Sequence, residues 1–290
     1  MHLLGAHVSI AGGVDKAPER GRRATCDVIQ IFTKSNVQWA ARAIGTDEQA
    51  RFLANLARHK IRMAFAHACY LINLCSADRA IRRRSQQALA IELSRCSFLR
   101  LPCLVLHPGS HGGQGEREAM KWIVEGALWA ADKADYSATG MRPTLLLETT
   151  AGQGNSVGWR FEQLAALLAA LEKTMPVGVC FDTCHVFAAG YDLRTAEAYG
   201  RTMEELHRAI GIHRIRAFHL NDSRGGLGSR LDRHEHIGRG RVGLQGFRTL
   251  LNDPRFARCP MVIETPKGKN CRLDIANLRR LRSLIVTDDI

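Results

Sequence analysis

The chain has 290 residues, 46% of them hydrophobic, and carries 41 Lys and Arg against 28 Asp and Glu, a net charge of +13. No stretch approaches the roughly 18 uninterrupted apolar residues of a membrane span, and Met1 to Ser9 is too short for a signal peptide. Nine Cys, odd in number and scattered, exclude a disulfide-stapled secreted domain. A soluble cytoplasmic protein with free thiols, no membrane partner and access to the chromosome is expected. The basic excess is mostly Arg, whose planar fork suits phosphate, so nucleic acid or another polyanion is the natural partner. A basic enzyme with no such partner is the plain alternative.

In chain order, apolar or β-branched runs fall at Leu3 to Val8, Val28 to Phe32, Met63 to Ala66, Cys103 to Leu106, Thr144 to Leu147, Val177 to Phe181, Ile215 to Leu220 and Met261 to Ile263. Between and after them lie helical segments: Val14 to Ala24, Asp47 to His59, Asp78 to Arg100, Glu116 to Asp135, Phe161 to Lys173, Thr195 to Ile210, Leu244 to Leu251 and Leu273 to Leu284. Their apolar residues recur at three and four, as in Leu164, Leu167, Leu168 and Leu171. Eight strand-helix units without repeat, low-complexity tract or Pro-rich linker predict an α/β fold, a closed (β/α)₈ TIM barrel, as a single domain over 1–290. A doubly wound open sheet competes, but no G-x-G-x-x-G follows the first strand.

Polar residues then fall at the strand ends. His67 follows the third strand, His107 the fourth, Glu148 the fifth, Asp182 and His185 the sixth, His219 the seventh and Glu264 the eighth, while Asp232 and His234 lie in the loop after the seventh. In a barrel these ends converge on one face. Each residue alone has a plain reading, as a hydrogen-bonded strand cap or a carboxylate paired with Arg. Together, five His and four carboxylates on one rim would be costly to bury without counter-charge, and they suit two or three metal ions.

The motifs G-A-H-V-S-I-A-G-G (Gly5 to Gly13), H-A-C-Y-L-I-N-L (His67 to Leu74), H-P-G-S-H (His107 to His111), E-T-T-A-G-Q-G (Glu148 to Gly154), F-D-T-C-H-V-F-A-A-G-Y-D (Phe181 to Asp192), H-L-N-D (His219 to Asp222), D-R-H (Asp232 to His234) and I-E-T (Ile263 to Thr265) run from end to end of the chain. In this order they resemble the endonuclease IV family. That resemblance implies a barrel with three zinc ions that cleaves duplex DNA 5′ to abasic sites, leaving a 3′-hydroxyl and a 5′-deoxyribose phosphate. By position, His67, His107 and Glu148 would hold the first ion. Glu148 would bridge to a second held by Asp182, His219 and Glu264, and His185, Asp232 and His234 would hold the third. The chemistry implied is in-line attack by a metal-activated hydroxide that Glu148 and Glu264 orient. Mn²⁺ is an alternative to Zn²⁺ at some sites.

The resemblance also implies recognition by loops on the same face. Tyr70 and Leu71 match positions that wedge into DNA, and Val37 stands where the family often has a basic residue. Lys34, Gln38, Arg230 and Arg233 are candidate backbone contacts, or else solvated rim residues. His7 and His111 are further candidate phosphate contacts, whereas Cys180 and Cys184 read as core thiols. A monomer is expected. The rival readings are a sugar isomerase or epimerase with one or two metals, and a lesion-binding protein without catalysis.

Overall fold

Eight parallel strands close on themselves in the order β1 (Leu3–His7), β2 (Val28–Phe32), β3 (Met63–His67), β4 (Cys103–Leu106), β5 (Thr144–Glu148), β6 (Val177–Asp182), β7 (Ile215–His219) and β10 (Pro260–Ile263). The seam is the pairing of β1 with β10, Leu3 opposite Pro260 through Ala6 opposite Ile263. Gly5 is required next to the seam, since a Cβ there would lie 1.6 Å from the Val28 carbonyl oxygen. This computed structural model describes residues 2–286, so Met1 and 287–290 of the expected domain lie outside the described residues.

Successive strand side chains point to opposite faces. Val28, Phe65, Val105, Leu146, Cys180, Ala217 and Val262 point inward and fill the barrel as one buried cluster. Alternate residues such as Leu4, Ile29, Leu104, Leu147 and Phe218 point outward and pack under the helices. The helices are α1 (Ala17–Arg23), α2 (Thr46–Arg58), α3 (Arg79–Phe98), α4 (Glu116–Lys133), α5 (Phe161–Leu171), α6 (Thr183–Ala189), α7 (Ala196–Ile210), α8 (Gly243–Leu251) and α9 (Arg272–Arg282). Caps fix several starts: Asp78 accepts from the backbone N–H of Ala80 and Ile81, and Thr195 from that of Ala198. Among the described residues no helix is long and apolar enough to cross a membrane, and all nine Cys are free.

The expected strands lie within a residue of those observed. The expected helix from Val14 to Ala24 divides into a 3-10 turn (Val14–Lys16) and α1, because Pro18 lacks an N–H and is tolerated only in a first turn. Besides three short 3-10 turns (Gln153–Asn155, Ile212–Arg214 and Pro254–Phe256), two elements were not expected from the sequence. The first is α6, directly after β6; the second is a hairpin of β8 (Asp222–Ser223) and β9 (His234–Glu235), antiparallel with Ser223 opposite His234.

Candidate metal centre

Strand periodicity builds the site. Two residues beyond each inward apolar side chain stands an inward polar one, so Phe65 leads to His67, Val105 to His107, Leu146 to Glu148, Cys180 to Asp182, Ala217 to His219 and Val262 to Glu264. These six form one layer at the C-terminal mouth of the barrel. The other three candidates come from the unexpected elements: His185 from α6, and Asp232 and His234 from the end of the β8–β9 hairpin. Asp182 serves twice, because its Oδ1 also accepts the His185 backbone N–H at 2.9 Å, capping α6 and fixing where His185 projects.

The nine side chains fall into three groups whose donor atoms lie within 4.8 Å of one another: His67, His107 and Glu148; Glu148, Asp182, His219 and Glu264; and His185, Asp232 and His234. Glu148 divides its oxygens between the first two. Oε2 faces His67 Nε2 at 3.1 Å and His107 Nε2 at 2.9 Å, while Oε1 faces His219 Nδ1 at 2.9 Å. Glu264 Oε2 and Asp182 Oδ2 approach the same Nδ1 at 3.3 and 3.7 Å. In the third group Asp232 Oδ1 lies 3.1 Å from His185 Nε2 and 3.7 Å from His234 Nε2. Asp182, Cys184 and His234 also meet the distance, but the Cys184 thiol donates to the Arg233 carbonyl at 3.6 Å, and burial pushes it up to about 12.

Hydrogen bonds select the nitrogen each ring presents. The Nδ1–H of His67 donates to the Ala68 carbonyl at 2.7 Å, that of His185 to Thr149 at 2.8 Å and that of His234 to Glu264 at 3.2 Å, which leaves three Nε2 lone pairs facing the site. His219 is reversed: its Nε2–H donates to Gln30 Oε1 at 2.8 Å, and the Nδ1 lone pair faces inward. Imidazole lone pairs and carboxylate oxygens that converge with no hydrogen between them fit a divalent cation of the Zn²⁺ or Mn²⁺ type. Without an ion the same approaches become charge pairs. Burial alone would raise the Glu148 carboxyl, yet His107 and His219 hold it well below the usual carboxylate range. Burial opposes the imidazolium of His107, but Glu148 raises its pKa.

Sequence reasoning missed the residues that hold these ligands. Asn221, fully buried, donates from Nδ2 to Asp182 Oδ2 and accepts the Glu264 backbone N–H at Oδ1, both at 2.7 Å. Thr149 Oγ1 accepts the Asp182 N–H at 2.9 Å. Gln30 bonds both His219 and Glu264. The available signal was a lone polar residue inside the apolar run V-I-Q-I-F.

The recognition candidates separate. Val37 and Tyr70 project into solvent, 68% and 57% exposed, with the Tyr70 ring edge-on to Phe32 and His67. Leu71 is half-buried against the core, so the free surface of that turn is mainly Tyr70. Gln38 is exposed, Arg230 lies 4.3 Å over the Trp159 ring, and Arg233 lines a cleft of about 600 Å³ with His107, His185, His234 and Glu264. One expectation is corrected. Lys34 is buried: its Nζ donates to the Gln38 carbonyl at 2.6 Å and to Cys69 Sγ at 3.2 Å and lies 3.9 Å from the buried Glu92, so it does not reach a phosphate. His111, partly exposed, accepts from the backbone of Gly113 and Gly115 at Nδ1, which leaves Nε2 as its outward nitrogen.

A family model for the xylose isomerase-like TIM barrel matches residues 18–283. The chain is 47% identical over 285 residues to a probable endonuclease 4 of Chloroflexus aggregans, covering 98% of both chains. It is 48% identical over 282 residues to that of Geobacter sulfurreducens, covering 97% of this chain and 94% of the relative. The crystal structure of endonuclease IV from Thermus thermophilus superimposes with a TM-score of 0.84 at 40% identity, covering 97% of this chain and 98% of that one. A D-tagatose 3-epimerase-like protein, at 16% identity and a TM-score of 0.70, shares the fold alone. The chain belongs to the endonuclease IV family, within the xylose isomerase-like TIM barrels.

Proposed function

We propose that this protein is a DNA repair endonuclease that cleaves the phosphodiester 5′ to abasic sites in duplex DNA, leaving a 3′-hydroxyl and a 5′-deoxyribose phosphate. The observation that carries the reading is the division of the two Glu148 oxygens between His67 with His107 on one side and His219 on the other. That arrangement joins two metal-binding groups through one carboxylate, with the third group alongside. His67, His107 and Glu148 would hold one Zn²⁺; Glu148, Asp182, His219 and Glu264 a second; His185, Asp232 and His234 a third. Mn²⁺ would be accepted where carboxylates dominate. When bound, such ions lower the pKa of water to about 7 and offset the negative charge that builds on a phosphate during hydrolysis.

Glu148 and Glu264 orient the attacking water. Tyr70 and Val37 enter the duplex at the lesion, unstacking a base step so that the abasic nucleotide turns out toward the rim. Gln38, Arg230 and Arg233 contact the backbone around it. A set of nine donors complete within one barrel supports action as a monomer and a single domain, and a chromosomal substrate supports a cytoplasmic location.

The test is a 5′-labelled duplex bearing one tetrahydrofuran abasic analogue. Metal-replete protein should nick it once, on the 5′ side of the analogue, and leave an end that a polymerase extends. Binding without a nick, or sugar epimerisation without DNA cleavage, would replace this reading.

A further inference from the structure

We infer that Gln30 is a positioning residue of the metal centre: its carboxamide fixes which nitrogen His219 presents and where the Glu264 carboxylate points, and so sets the ion affinity of the group Glu148, Asp182, His219 and Glu264. The inference rests on the ligand sets given under the proposed function.

Gln30 is fully buried on β2, two residues beyond the inward-facing Val28, and so points into the layer of the ligands. It ties together three other parts of the barrel wall. Its Oε1 accepts the His219 Nε2–H of β7 at 2.8 Å, and its Nε2 donates to Glu264 Oε1, just after β10, at 2.6 Å and lies 2.9 Å from His7 Nδ1 of β1.

The partners settle the orientation of the amide. Exchanging its oxygen and nitrogen would set a carbonyl oxygen against the Glu264 carboxylate at 2.6 Å, acceptor against acceptor. In the orientation that satisfies them, His219 carries its proton on Nε2, and its Nδ1 lone pair faces Glu148 Oε1, Glu264 Oε2 and Asp182 Oδ2. His7 Nδ1 stands between Gln30 and Glu264, 2.9 Å from Gln30 Nε2 and 3.1 Å from Glu264 Oε1, while its Nε2 is buried with no partner among the described residues. A neutral amide suits this position. It orients a carboxylate and an imidazole at once and adds no charge of its own, whereas a carboxylate here would keep the His219 bond and repel Glu264.

The measurement is ion release from wild type, Gln30→Met and Gln30→Glu in a titration with a chromophoric chelator, with thermal unfolding of each chelated protein and kcat and KM on the abasic duplex. Removing a partner that orients a metal ligand weakens the site about 10–100-fold. One ion should therefore leave both variants at correspondingly lower chelator concentration, with the other two released as in wild type. The fall should appear in kcat while KM holds, because Gln30 is buried and does not touch DNA. Gln30→Glu, nearly isosteric, keeps the test open if Gln30→Met does not fold. Three ions released as in wild type, even with a lower melting temperature, would reduce Gln30 to a packing residue and overturn the inference. Wild type holding fewer than three ions would instead overturn the ligand reading, and this inference with it.

Discussion

His185 Nε2 and His234 Nε2 face each other across 3.5 Å, each ring tied through Nδ1 to a backbone carbonyl. Neither bond leaves a hydrogen for the other ring, and Asp232 Oδ1 is the third donor at the same point. His234→Ala should therefore remove one ion per chain and slow incision by roughly 10²-fold or more. Elemental analysis and single-turnover incision on one preparation measure both. Unchanged metal content would remove His234 from the ligand set.

In the chelated protein the buried rings of His185 and His219 become proton acceptors. Burial opposes the imidazolium of His185, but Asp182 and Asp232 raise its pKa well above the ordinary value; His219 is raised likewise against burial, with Glu264 and Glu148 facing it. A group raised on folding contributes stability that is complete below its unfolded value, about 6.5 for His, and is lost as pH climbs through the folded value. Metal-free protein should lose thermal stability as pH rises above about 6.5. Ion affinity should increase over the same window, because binding must displace those protons. Melting curves between about pH 6 and about pH 9, with and without chelator, test both signs.

Lys34 separates a structural cation from a DNA contact. Lys34→Met leaves Glu92 buried without its cation, a loss of roughly 3–5 kcal/mol when one partner of a buried pair is removed. The salt dependence of duplex binding should stay as in wild type. Denaturant unfolding and a salt titration give the two readouts, and a shallower slope in a stable variant would restore Lys34 as a phosphate contact.

Val37 is the converse, 68% exposed and apolar on a strongly basic protein. Val37→Arg should bind the abasic duplex several-fold more tightly and steepen the salt slope by about 0.9, one phosphate's worth. Stability should change by less than about 0.5 kcal/mol. A variant with wild-type affinity and slope would place this loop away from the backbone.

The barrel was legible because apolar runs alternate with helical stripes, and the six strand-borne candidates because each follows an inward apolar residue by one strand period. The supporting shell was not. Gln30 carries no chemistry that distinguishes a positioning amide from a strand residue, and Asn221 lies in H-L-N-D beside more conspicuous ligand types. The hairpin escaped because strands of two residues have no periodicity, and α6 because its seven residues, nearly all buried, show no polar face. Lys34 misled for a physical reason: a cation in a polar loop gives no sign that a buried carboxylate 58 positions on, Glu92, will draw it inward.

The most direct test measures metal content and incision of an abasic-analogue duplex on the same samples of wild type and Glu264→Gln. About three ions per chain and a single 5′ nick in wild type, with incision lost or strongly reduced in the variant, is the expected result. Metal-replete wild type that binds the duplex and leaves it whole would contradict the account.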